Sequence, residues 1–212
     1  MRHALIALFA AVSIAGAAHA QQPDANLAAA RAIVERAQLE DVFTPLADDH
    51  ISVRHAASGL VCHFSAADTR SDVVVFGSSL PRGDDVGCVR DREGQAVTLY
   101  ATRYDQPVRA EDALAAAETA IRRRFADAQP TPATLTMNSE ALPPTLVAHY
   151  LITLGGERWL TTAAVAQSGA WIIKLRFSSR AADSAELRQA ELEANALMTL
   201  ALLEIARASG TD

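Results

Sequence analysis

The sequence predicts an α+β fold: largely antiparallel sheet or sheets, with N-terminal, middle and long C-terminal helices packed on them. Three observations carry this expectation. Short alternating or valine-rich stretches gather into two runs, residues 51–102 and 134–177, and runs of strands separated by helices indicate α+β rather than strict strand–helix alternation. Glycine-containing turns punctuate both runs and join antiparallel neighbours. Apolar residues recur at helical spacing before, between and after the runs.

In chain order, the first helix is expected from Asp24, whose carboxylate accepts from the free amides of a first turn. Leu27, Ala30, Val34 and Ala37 form its stripe, and it fades near Leu39. Phe43-Thr44-Pro45 reads as its end and a turn. Residues 51–55 alternate, Ser58-Gly59 turns the chain, and residues 60–64 make a second short strand. Residues 72–76, with three consecutive valines, read as a strand buried on both faces. Residues 81–85 form a turn by composition. Strands follow at 86–90 and 97–102, either side of Arg92-Glu93-Gly94.

The middle helix is expected over residues 111–128, with Leu114, Ala117, Ile121 and Phe125 as its stripe. Glu111 and Asp112 at its start and Arg122, Arg123 and Arg124 near its end both suit the helix dipole. Pro130 and Pro132 stop it. A short strand at 134–137 and a Pro143-Pro144 turn lead into a meander of strands at 145–154, 157–165 and 170–177, joined at Gly155-Gly156 and Ser168-Gly169. The last helix begins around Ala182. Its stripe is Leu187, Ala190, Ala194, Leu197, Met198, Ala201 and Ile205, and it fades before Ser209-Gly210.

The meander from Val147 to Val165, the strand Trp171-Ile172-Ile173-Lys174-Leu175-Arg176 and the long closing helix resemble the PsbP/Mog1-like fold group over the C-terminal third. The shared stretch contains no catalytic motif. The resemblance implies a binding or assembly-accessory module rather than an enzyme, although fold likeness by itself assigns no function.

The compartment is read from the first twenty residues. Arg2 and His3 precede an apolar run over residues 4–14, and Ala18-His19-Ala20 closes it. That is the layout of a signal peptide over residues 1–20, cleaved between Ala20 and Gln21. The run is shorter than the about 20 residues that a bilayer span needs. Glu191, Glu193, Glu204 and Arg207 interrupt the stripe of the last helix. No stable membrane insertion is therefore expected after signal removal, and the chain is expected to be periplasmic or secreted. Residues 21–212 are expected to form a single α+β domain, with a possible subdomain joint near residues 129–132.

The formal charge is −6, and removing residues 1–20, with one arginine and no acid, takes it to −7. An acidic balance argues against nucleic acid as a partner. Lys174 is the only lysine and reads as a compositional trait. Two cysteines, Cys62 and Cys88, in an exported chain favour a disulfide. It would close a loop of about 25 residues, worth roughly 3 to 3.5 kcal/mol. Its role is stability, because a C-x-x-C motif is absent.

Candidate chemistry is sparse. His55, Cys62, His63 and Cys88 include zinc-ligand types. However, His63 next to Cys62 on a strand points to the opposite face, and no metal site is expected. Ser58 near His55 is a serine–histidine candidate, but G-x-S-x-G is absent. Asp84 and Asp85 are adjacent acids whose side chains diverge, and they lack the spaced oxygen ligands of a calcium loop. Arg122, Arg123 and Arg124 wrap a helix rather than line a pocket. Trp159 and Trp171 read as core. The expected class is an exported, non-enzymatic envelope module, with no cofactor and with an envelope protein or small ligand as partner. The alternatives are a small periplasmic hydrolase, or a metal-binding protein, using the His55/His63 region.

Overall fold

The structure, a computed structural model, describes residues 15–77, 79–132 and 141–210, with side chains from Pro23 onward. The elements are α1 (Ala15–Ala37), β1 (Phe43–Ala47), β2 (Ile51–His55), β3 (Val61–Phe64), β4 (Arg70–Val75), β5 (Asp85–Arg92), β6 (Gln95–Thr102), α2 (Ala110–Arg124), β7 (Gln129–Thr131), β8 (Thr145–Leu154), β9 (Glu157–Ser168), β10 (Trp171–Arg180) and α3 (Ser184–Ala208). Strands β1-β2-β3 form a small sheet, and β4-β5-β6-β10-β9-β8-β7 form a seven-stranded one. Every neighbouring pair is antiparallel. This is the α+β class that the sequence predicts.

Side-chain alternation on β9 divides the molecule into two layers. Leu160, Ala164 and Ala166 face the main core, while Trp159, Ala163 and Val165 face the other side. The main core takes in α1, the small sheet and α3. On the opposite face α2 packs on β8 and β9, with Leu114, Ala117 and Ile121 against Tyr150, Ile152 and Ala163. Cys62 on β3 and Cys88 on β5 form the expected disulfide, with Cα atoms 5.8 Å apart. It joins the two sheets covalently.

Turns and caps follow the local sequence. Gly155 and Gly156 both take positive φ, 62° and 81°, as a two-residue hairpin turn between β8 and β9 requires. Asp183 caps α3 by accepting from the amides of Ala185 and Glu186 at 2.8 and 2.9 Å. Glu186 reaches back to the Ala182 amide at 2.7 Å.

Four local expectations are corrected. Asp24 does not cap α1, which runs from Ala15 through Pro23 without a break; the flanking alanines are strong helix formers and carry it past the proline. The Ala20–Gln21 bond therefore lies within α1, while residues 1–14 lie outside the described residues. Phe43-Thr44-Pro45 is not a turn but the start of β1, with Pro45 opposite Val53; β1 is an edge strand, where a missing N–H is tolerated. The valine-rich β4 is not buried on both faces. It is the sheet edge, and only Val73 is fully buried. Finally, α2 ends at Arg124 because Phe125 is extended, with φ −125° and ψ 100°. Residues 129–131, near the expected joint, are edge strand β7 on β8. The strand expected at 134–137 lies outside the described residues.

Candidate functional site

The structure brings three of the five candidate side chains, His55, Ser58 and Asp84, to one place. Ser58 Oγ lies 2.8 Å from His55 Nδ1 and accepts from the Leu60 amide at 3.2 Å. The His55–Ser58 contact therefore sits beside a second hydrogen bond that Ser58 Oγ accepts from the backbone. Phe43 and Trp171 pack on the imidazole at ring-centroid distances of 5.5 and 5.4 Å. Burial lowers the His55 pKa from 6.5 to about 4; Asp84 acts in the opposite direction and Arg103 adds to the lowering. Asp84 Oδ1 is taken by Arg103, at 2.7 Å from Nη2 and 3.1 Å from Nε. Arg103 in turn stacks on Trp171 at 5.2 Å. His55, Ser58 and Asp84 are buried at the β2–β3 turn, with the exposed Arg103 closing over them. Ser58 is only 5% exposed, whereas a nucleophilic serine must meet its substrate.

His63 and Asp85 lie elsewhere. His63 Nδ1 is 2.8 Å from Ser52 Oγ, and its Nε2 is 2.6 Å from Glu204 Oε1 on α3. Ser52 also donates to Asp48 Oδ1 at 3.1 Å. This serine–histidine–glutamate chain could not be found from sequence, because Glu204 is far along the chain in another helix. Ser52 is fully buried, so the chain ties β2 and β3 to α3. Asp85 accepts from Thr102 Oγ1 at 2.8 Å. Both thiols are consumed by the disulfide, and no cluster of three or more His, Cys, Asp or Glu suited to a metal occurs among the described residues. Trp159 and Trp171 are both buried, on opposite faces of the sheet.

One concavity is a cleft of about 270 Å³ between α2 and the sheet, lined by Tyr100, Tyr104, Lys174 and Arg176 on one side and by Ala113, Ala116, Ala117 and Ala120 on the other. It exists because α2 covers β8 and β9 but not the same face of β6 and β5. The flank of α2 that looks over β10 carries methyl groups, too short to close the gap. Alternation on β10 places Lys174 and Arg176 on the α2 side, away from Ile173, Leu175 and Phe177 in the main core. The β6–β10 register sets Lys174 directly opposite Tyr100.

The rim is built from aromatic–cation contacts. Lys174 Nζ sits 5.1 Å from the Tyr100 ring centroid, a cation–π distance. Phe76 packs on Tyr100 at 4.9 Å. Gly87 makes room for this: a Cβ there would come within 2.9 Å of Phe76 and 2.5 Å of the Leu99 carbonyl oxygen. Burial, then the nearby charge of Arg124, lowers the pKa of Arg176, against a smaller opposing effect of Tyr100. Lys174, Arg176 and Arg124 are in no salt bridge among the described residues. Two of the three helix arginines have different aromatic partners. Arg122 donates to the Tyr150 hydroxyl at 2.6 Å, and Arg124 lies over Phe125 at 5.4 Å.

Sequence reasoning missed Tyr100, Lys174 and Arg176. The signal available was a lone lysine and an arginine two residues apart inside an otherwise apolar strand. Neither a protein-family model nor a curated protein matches this chain.

Proposed function

We propose that the protein is an exported, non-enzymatic binding or accessory module of the cell envelope, and that it holds its ligand in the cleft beneath α2. One observation carries this reading: an apolar cleft walled by alanines and rimmed by two tyrosines and two cations that are in no salt bridge among the described residues. Ligand sites are mostly apolar concavities with a few placed polar groups. The pattern of residues 1–20 supports export, as does the disulfide, since oxidising compartments keep such bonds. Among the described residues no helix is long and apolar enough to cross a membrane. The resemblance of the C-terminal third to the PsbP/Mog1-like group, read from its sequence, also supports a binding or assembly-accessory module.

The test is native mass spectrometry of the mature chain from its oxidising compartment, beside an Ala120→Trp variant whose indole fills the cleft. The mature chain should start at Gln21. A small-molecule adduct present on the unaltered protein and lost from the variant supports the reading. An adduct that survives the substitution, or none on either protein, contradicts it.

A small hydrolase is the second reading. The His55–Ser58 contact with Asp84 nearby supports it, and the burial of Ser58 opposes it. Ester hydrolysis abolished by Ser58→Ala, in a variant that still folds, would favour it. A metal-binding role would need Cys62 and Cys88 as free thiolates, and the disulfide opposes that.

A further inference from the structure

We infer that the cleft takes a small aliphatic carboxylate, with its head between Lys174 and Arg176 and its chain along the alanine flank of α2; this deepens, and rests on, the binding-module reading above. The head is argued from charge. Lys174 and Arg176 are two residues apart on one face of β10, so their Cα atoms are about 7 Å apart, close enough for one small anion to meet both side chains. Arg176 is half-buried, has another cation, Arg124, nearby, and is in no salt bridge among the described residues. A cation stripped of water without a counter-charge is destabilising, and an arriving carboxylate removes that penalty. A guanidinium presents a planar fork that matches a carboxylate, while an ammonium supplies a point charge beside it. The chain as a whole is acidic, at −6. Its long-range field therefore does not favour anions, and selectivity comes from this local group.

The tail is argued from shape. Ala113, Ala116, Ala117 and Ala120 give a smooth wall at helical spacing, with Tyr104 nearby. A wall of methyl groups offers no hydrogen-bonding partner to a polar ligand body. The volume of about 270 Å³ falls just below the about 300–1,000 Å³ typical of ligand pockets. That favours a medium-length chain over a long-chain acyl group. Tyr100, held by Phe76 and carrying Lys174 over its ring, fixes the position of the cationic end.

The test is isothermal titration of the mature, disulfide-bonded protein with decanoate, decanol and decyltrimethylammonium. Decanoate should bind at least tenfold more tightly than either of the others. Lys174→Met and Arg176→Gln should each weaken decanoate by about tenfold, the value of one favourable charge-assisted contact, and leave decanol unchanged. Ala120→Trp should abolish decanoate binding. Circular dichroism melts establish that each variant is folded. Equal binding of decanoate and decanol, blocked by Ala120→Trp, overturns the carboxylate inference and leaves the binding-module reading standing. Preference for the ammonium compound, or decanoate binding indifferent to Lys174→Met and Arg176→Gln, also overturns it. Binding of none of the three, together with no adduct on the native protein, overturns both.

Discussion

Breaking the Cys62–Cys88 bridge should lower the melting temperature by about 7–14 °C while leaving one cooperative transition. The two cysteines are 26 residues apart in sequence. The chain-entropy relation for a loop of that length gives about 12 cal/mol/K, or about 3.5 kcal/mol at 25 °C. In a domain of this size each kcal/mol moves the midpoint by about 2–4 °C, which yields the range. The bridge joins sheets that are otherwise held by side-chain packing, and the main core spans both. Reduction should therefore weaken the fold rather than abolish it. Both cysteines are buried, so Cys62→Ala with Cys88→Ala adds a small cavity loss, and the reduced wild-type protein is the cleaner comparison. The assay is differential scanning calorimetry of the oxidised protein and of protein fully reduced under denaturing conditions and refolded. A reduced protein melting within about 2 °C of the oxidised one would refute the reasoning.

Three further outcomes follow from particular contacts. His55 is held neutral by burial, with a folded pKa of about 4 against 6.5; the unfolded chain takes up its proton first, so stability is full above pH 6.5 and falls as pH drops towards 4. The total loss from this group is about 3 kcal/mol. His149, lowered by burial against the pull of Glu191, adds in the same direction. Urea titrations between pH 7 and 4 and the imidazole proton signals would check this, and stability constant across that window would contradict it. Gly87→Ala should cost about 1–3 kcal/mol, the usual range for overpacking, because its Cβ meets the Leu99 carbonyl oxygen and Phe76; an unchanged urea midpoint would show that this approach is relaxed in solution. Asp183→Ala removes the cap of α3 and should cost about 1 kcal/mol, read from the same urea titration, while Asp183→Ser should restore most of it.

Where the sequence was legible, local physics decided the outcome. The β8-β9-β10 meander could be read because its turns carry their own glycines. The α3 stripe could be read because Ala190, Ala194, Met198, Ala201 and Ile205 keep helical spacing and are all buried. The disulfide followed from the expectation of export and the cysteine count. The errors arose where one local pattern serves two environments. Three valines read alike on an edge strand and in a sheet centre, and Pro45 suits both a turn and the outer edge of β1. Aspartate before a helical stripe suggests a cap, but the alanines ahead of it extend α1. The candidate site was not legible, because it depends on long-range register. Tyr100 and Lys174 become partners only when β10 pairs with β6, and nothing local in either strand specifies that pairing. The cleft also depends on an offset, α2 sitting over β8 and β9 rather than over the sheet centre, which no helix periodicity encodes.

Because Lys174 is the only lysine, reductive ¹³C-methylation places a single side-chain probe at the mouth of the cleft, apart from the chain's terminal amine. The most direct measurement is the dimethyl-lysine resonance of Lys174 during titration with decanoate, in the wild-type and Ala120→Trp proteins. The account predicts a shift that saturates in the wild type and is lost in the variant. A Lys174 resonance that stays in place while decanoate binds, or one that moves equally in both proteins, would contradict the cleft as the binding site.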